Sequence, residues 1–197
     1  MPSKVDVANR ALRMVGATRI TSFTQGTPSA NAVNDIYDEV LKELLASAKW
    51  KFAKKRSNLA RSSTAPVYEY DYAYAFPSDW LRTIDVHDND SGIGNFEYRE
   101  AQVGSQNVLE TDAEQVYLTY VYFEQDPNLM TPTFRSALST ALGRDLAVPL
   151  SESGTLQTRL ESRATRSLFK AMSVDAIGST PKSRPMGSWA TARYGWR

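Results

Sequence analysis

Apolar residues recur along the chain at two different periods. Between Val5 and Val15 they fall at helical spacing, with Val5, Ala8, Leu12 and Val15 on one stripe. Ser3 before the stripe and Gly16 after it supply the expected cap and stop. Residues 16–27 read as a loop. A second helix is predicted from Pro28, whose fixed φ suits a first helical turn. Its stripe is Val33, Ile36, Tyr37, Val40, Leu41, Leu44, Leu45 and Ala48. Asp35, Asp38 and Glu39 come early in it and Lys49 late, the order that complements a helix dipole.

After Trp50 the period shortens to two. The runs 67–76, 82–87, 95–99, 106–111 and 115–123 are β-rich and separated by turn residues. In the last of them, Val116, Leu118, Tyr120 and Tyr122 alternate with Tyr117, Thr119, Val121 and Phe123. Both faces are apolar or aromatic, so this strand is expected to be covered on two sides. Pro77-Ser78-Asp79-Trp80 reads as a helical turn anchored by its tryptophan, and 88–94 as a loop tip. Helical spacing returns at Thr131, with Phe134, Leu138, Ala141, Leu142 and Leu146 in phase and a stop near Pro149. A last helix over 155–176 carries Leu156, Leu160, Ala164, Leu168, Met172 and Ala176 on one side. Arg159, Arg163, Arg166 and Lys170 lie on the other. The expected class is α+β: a helical bundle body from 1–50 and 129–177, an inserted antiparallel β-rich unit at 51–128, and an extended tail at 178–197.

Charge changes this picture. The net charge is only +1, yet residues 68–126 hold 13 of the 22 acids against two bases, Arg82 and Arg99. Such segregation fits two surfaces facing different environments, and it also fits a hydrophilic insertion that is simply acidic. The stretch 49–61 has six bases, no acid, and the aromatics Trp50 and Phe52. Lysine, arginine and aromatic groups together suit nucleic acid. The same residues also suit core anchors at a helix-to-strand handover, with the lysines on the wet side.

Catalytic chemistry is not spelled out. There is no cysteine, and a single histidine, His87, sits between Asp85 and Asp88. Zinc and thiol sites are thereby disfavoured, and His87 reads as structural. Asp85, Asp88 and Asp90 form an acidic turn without the full calcium-loop pattern. Gly92-Ile93-Gly94 lacks the third glycine of a nucleotide fingerprint. No metal, cofactor or enzymatic activity is expected. The start lacks the apolar core of a signal peptide and no run is long enough to span a membrane. The expectation is therefore a soluble, cytoplasmically made protein without a membrane partner.

Several pieces in order resemble one family. They are ANRALRMVGATRITSF, LKELLASAKWKFAKKRSNLA, YAFPSDWLR, PTFRSALSTALGRDLAVPL and SWATARYGWR. Together they resemble, in order and over most of the chain, the head-to-tail adaptors of short-tailed bacteriophages, the tail tubular protein A family; the likeness is weakest over 88–114, where no pattern is recognised. The resemblance implies a virion component in the tail at the head–tail junction. It implies a homo-oligomeric ring, usually of twelve, between the portal protein and the distal tail (nozzle) protein. Double-stranded DNA would pass through its channel without sequence-specific binding.

On that reading Asp85, Asp88, Asp90, Glu110, Asp112 and Glu114 are candidate channel- or nozzle-facing acids. Arg159, Arg163, Arg166 and Lys170 are candidates for subunit or portal contact. Trp189, Arg193, Tyr194, Trp196 and Arg197 are candidates for portal docking, since aromatic and arginine anchors suit a segment that folds against a partner. The competing readings are a nucleic-acid-binding protein that uses 49–61 and the basic tail, and a hydrolase within the acidic β-unit.

Overall fold

The computed structural model describes residues 1–89 and 97–177, and within them the chain forms four helices and six strands in an α+β arrangement. Helix α1 (Lys4–Met14) opens on a capping box. The Ser3 hydroxyl accepts the Asp6 amide at 3.1 Å and the Asp6 carboxylate accepts the Ser3 amide at 2.9 Å. It ends at Gly16, whose φ of +73° is the left-handed conformation expected of a helix stop. The loop that follows is tied back by Asn9. Its buried side-chain amide donates to the Ile20 carbonyl and accepts from the Ile20 amide, both at 2.8 Å.

Helix α2 (Pro28–Ser47) is capped by Thr27 and buries Val33, Tyr37, Val40, Leu41, Leu44 and Leu45, all from the predicted stripe. The chain then turns about Trp50. That side chain is fully buried, donates its indole N–H to the Leu44 carbonyl at 2.8 Å, and meets Phe134 edge-on at 4.9 Å.

Six strands follow: β1 (Lys54–Asn58), β2 (Tyr72–Ala75), β3 (Trp80–His87), β4 (Arg99–Val103), β5 (Gln106–Thr111) and β6 (Tyr117–Tyr122). They make two antiparallel three-stranded sheets, ordered β1-β6-β3 and β2-β5-β4. Strand β6 is covered on both sides, as its pattern predicts. Val121 enters the main core with the helices, while Leu118 and Tyr120 join a second core with Tyr74 and Leu109 of the other sheet.

Two predicted strands are displaced. Of 67–76 only Tyr72–Ala75 pairs; Glu69 has a φ of +74°, which breaks the extended run, and Val67 and Tyr68 are exposed. Of 95–99, residues 95 and 96 lie outside the described residues, and among the rest pairing begins only at Arg99, in the strand Arg99–Val103. A two-residue turn at Gly104-Ser105, with Gly104 at φ +63°, fixes its pairing to β5. The Pro77–Trp80 turn is present, closed by the Trp80 amide on the Pro77 carbonyl at 3.0 Å. Trp80 stacks on Phe76 and begins β3.

Helices α3 (Pro132–Ser151) and α4 (Gly154–Ile177) complete the chain. Helix α3 ends near Pro149 as expected, running on to Ser151 with Pro149 in its final turn. The proline removes one amide there, and the end is set by Glu152, left-handed at φ +50°, whose amide bonds the Val148 carbonyl at 3.0 Å. Helix α3 is buried well beyond its stripe, at Ser139, Thr140, Gly143 and Ala147 too, because α1, α2 and α4 all pack against it. The two buried hydroxyls bond the carbonyls one turn back, Arg135 and Ser136.

Candidate functional site

Helix α4 buries Leu160, Ala164 and Ala171 against α3. That orientation turns Arg159, Arg163, Arg166 and Lys170 to solvent, and none of the four has an ion pair among the described residues. Two arginines of α1 add to them. Arg10, Arg13 and Arg163 line one depression, and Arg10 and Lys170 line a second of about 260 Å³ floored by α3. Phe169 lines neither depression but is 64% exposed, one turn along the helix from Arg166 and at the edge of the basic stripe. A large aromatic ring facing away from the core beside an arginine is the composition of an interface anchor.

The acids of the β-unit divide. Asp112 and Glu114 are exposed beyond the end of β5, and Asp88 is exposed beyond β3. Asp85 pairs with His87 at 3.2 Å. Glu110 departs from the expected outward set: it is 4% exposed and receives the Arg99 guanidinium at 2.7 and 3.1 Å. Its charge is neutralised inside the sheet, since β5 alternation turns it toward Arg99 on β4. Asp90 lies outside the described residues, as do Trp189, Arg193, Tyr194, Trp196 and Arg197.

The 49–61 stretch provides core anchors and an edge strand. Trp50 and Ala53 are fully buried, and β1 presents Lys54, Lys55 and Arg56 along the outside of its sheet. Charged side chains on an edge strand discourage pairing with a foreign strand. Several of its cations are engaged internally. The Lys51 amine bonds the Asp175 carbonyl at the end of α4, and Arg61 stacks on Tyr72 at 3.6 Å. Lys55 pairs with Asp79 at 2.6 Å and covers the Tyr122 ring at 3.8 Å.

Asp79 also accepts the Tyr120 hydroxyl at 3.0 Å. Burial alone would raise its carboxyl, but the Lys55 and Tyr120 hydrogen bonds outweigh that and hold it below its ordinary value. Burial and the bond to Asp79 push Tyr120 up to about 12. Burial and a hydrogen bond to buried Glu124 raise Tyr122 as well. With every member bonded to another, this polar cluster braces the join between β1, β3 and β6.

A second surface was not anticipated from sequence. A groove of about 470 Å³ between α2 and α3 has Ile36 and Val40 as its floor and Glu39, Glu43 and Asp145 on its rim. Arg144 pairs with Asp145 at 2.6 Å and approaches Glu43 at 3.8 Å, leaving Glu39 and the two-thirds-exposed Glu43 facing solvent. The legible signal was Asp35, Glu39 and Glu43 at four-residue spacing, the latter two bordering Ile36 and Val40 of the apolar stripe. For Phe169, the signal was a large apolar residue out of phase with Leu168 and Met172.

Among the described residues no group of three or more histidine, aspartate or glutamate side chains is placed to hold a metal ion, and no helix is long and apolar enough to cross a membrane. Neither protein-family models nor curated protein sequences match the chain.

Proposed function

We propose that the protein is a structural head-to-tail adaptor of a phage virion, a ring subunit that extends the DNA channel below the portal and docks the nozzle. On this reading the helices form a bundle that is the ring body, and the two sheets reach toward the distal tail. The 178–197 tail docks into the portal. The observation that carries the reading is the outward face of α4, which presents the exposed Phe169 and four cations that have no ion pair among the described residues. Such a face suits a macromolecular partner better than a small substrate. The resemblance of the ordered sequence pieces to the adaptor family supplies the rest. The nucleic-acid reading loses support from Lys51, Lys55 and Arg61, which bond within the fold.

The test is to add the full chain to purified portal rings and image the mixture by electron microscopy. An added ring of density at the portal's tail-facing end is expected. Deleting 180–197 should abolish it. Undiminished attachment after that deletion would remove the docking role of Trp189 and Trp196, and no attachment by the full chain would remove the adaptor reading.

A further inference from the structure

We infer that the Phe169 face of α4 seats in the α2–α3 groove of a second copy of this chain, giving a head-to-tail contact. The inference deepens the adaptor reading by naming the partner of the α4 face, and it rests on that reading only for its biological setting.

Three matches between the surfaces point to a copy of the chain itself. The first is shape and polarity: one surface is an exposed aromatic ring beside a stripe of cations, and the other is an apolar patch bordered by acids. Phe169 has Arg166 one turn before it, with Lys170, Arg163 and Arg159 continuing the stripe to one side, while Ile36 and Val40 lie with Glu39, Glu43 and Asp145. The second is length. Arg159 to Lys170 spans eleven helical steps and Asp35 to Glu43 eight, about 16 and 12 Å at 1.5 Å per residue. The third is that the match cannot be made within one molecule. Phe169 is 64% exposed, so it does not occupy the groove of its own chain.

Neighbouring bases offset the acid rim only in part. Lys42 leans over the Phe123 ring at 5.0 Å, and the single guanidinium of Arg144 serves both Asp145 at 2.6 Å and Glu43 at 3.8 Å. Three acids on the rim thus face one base, and Glu39 has no ion pair among the described residues. Because the two surfaces are different patches, the contact is heterologous, and repeating it builds a ring or a filament.

Sedimentation velocity at low ionic strength tests this, because exposed charge pairs weaken as salt screens them. The full chain is expected to associate in a concentration-dependent way, and moving to high salt should reverse it. Phe169→Ala should weaken association at least tenfold while leaving the circular dichroism spectrum unchanged, since the ring is exposed. Two charge-reversed variants, one with Arg166→Glu and Lys170→Glu, the other with Glu39→Lys and Glu43→Lys, should each fail to associate alone. Mixed together they should associate again, because each restores the other's complement.

The chain has no cysteine, so introduced ones report cleanly. Lys170→Cys mixed with Glu39→Cys should give a cross-linked dimer with a short bis-maleimide, and neither variant alone should. A monomer at every concentration in low salt, no rescue on mixing, or self-cross-linking of Lys170→Cys alone would each overturn the contact. Portal attachment is read separately. Association without it would sink the adaptor reading and keep the contact; attachment by a chain that never self-associates would do the reverse.

Discussion

The tyrosines show how far a single residue's chemistry reflects its place in the fold. Tyr120 is held near 12 by burial and its bond to Asp79, and Tyr37 and Tyr122 are raised further, Tyr37 chiefly by burial. A phenol raised above its unfolded value of 10 adds stability that is intact below pH 10 and is lost as pH climbs through the folded value. Spectrophotometric titration should therefore find these three among the ten tyrosines missing from the first ionisation step near pH 10. They should appear only with loss of the fold at higher pH. Replacing Tyr120 with Phe should shrink that late step by one residue. Full ionisation of all ten before unfolding would contradict the burial and bonding described for them.

At the scale of elements, the ends of helices carry local stability. Glu152 closes α3 in the left-handed region, where a side chain costs roughly 1–2 kcal/mol and glycine costs little. Glycine also gains freedom in the unfolded chain, which returns part of that difference. Glu152→Gly is expected to raise stability by roughly 0.5–1 kcal/mol, measured as a higher urea midpoint with an unchanged slope.

The same elements show what sequence makes legible. Helix α2 and strand β6 were readable because a stripe or an alternation states its own period: Val33 to Leu45 in one, Leu118, Tyr120 and Val121 in the other. Pro149 placed the end of α3 to within two residues; the closing residue itself was not legible, because a proline in a last turn forfeits only one bond and a left-handed Glu152 leaves no composition cue. The 67–76 strand failed at Glu69, whose positive φ is a tertiary outcome stabilised by Arg99, 30 residues away. Likewise the basic face of α4 was visible as a spacing, whereas the acid-rimmed groove needs Asp145 of α3 beside Glu39 and Glu43 of α2, a pairing only the folded chain creates.

For the whole molecule, β6 belongs to both cores at once, with Val121 on the helical side and Leu118 and Tyr120 on the other. The β-unit and the helices are thus expected to melt together. Heat or urea should give one transition, with coincident curves from far-ultraviolet circular dichroism and from the fluorescence of a variant retaining only Trp80. Separate transitions would mean that the shared strand does not couple the two cores. Helix α3 has a further consequence. Being packed by α1, α2 and α4, it joins the helix that carries Phe169 to the helix that lines the groove through one buried core. Each added copy in a head-to-tail series would then repeat the same rotation, so the count at which the series closes is a matter of angle. A substitution that shifts α4 against α3 by a few degrees, at Ala164 or Ala171, would alter that count while leaving every individual contact chemically unchanged.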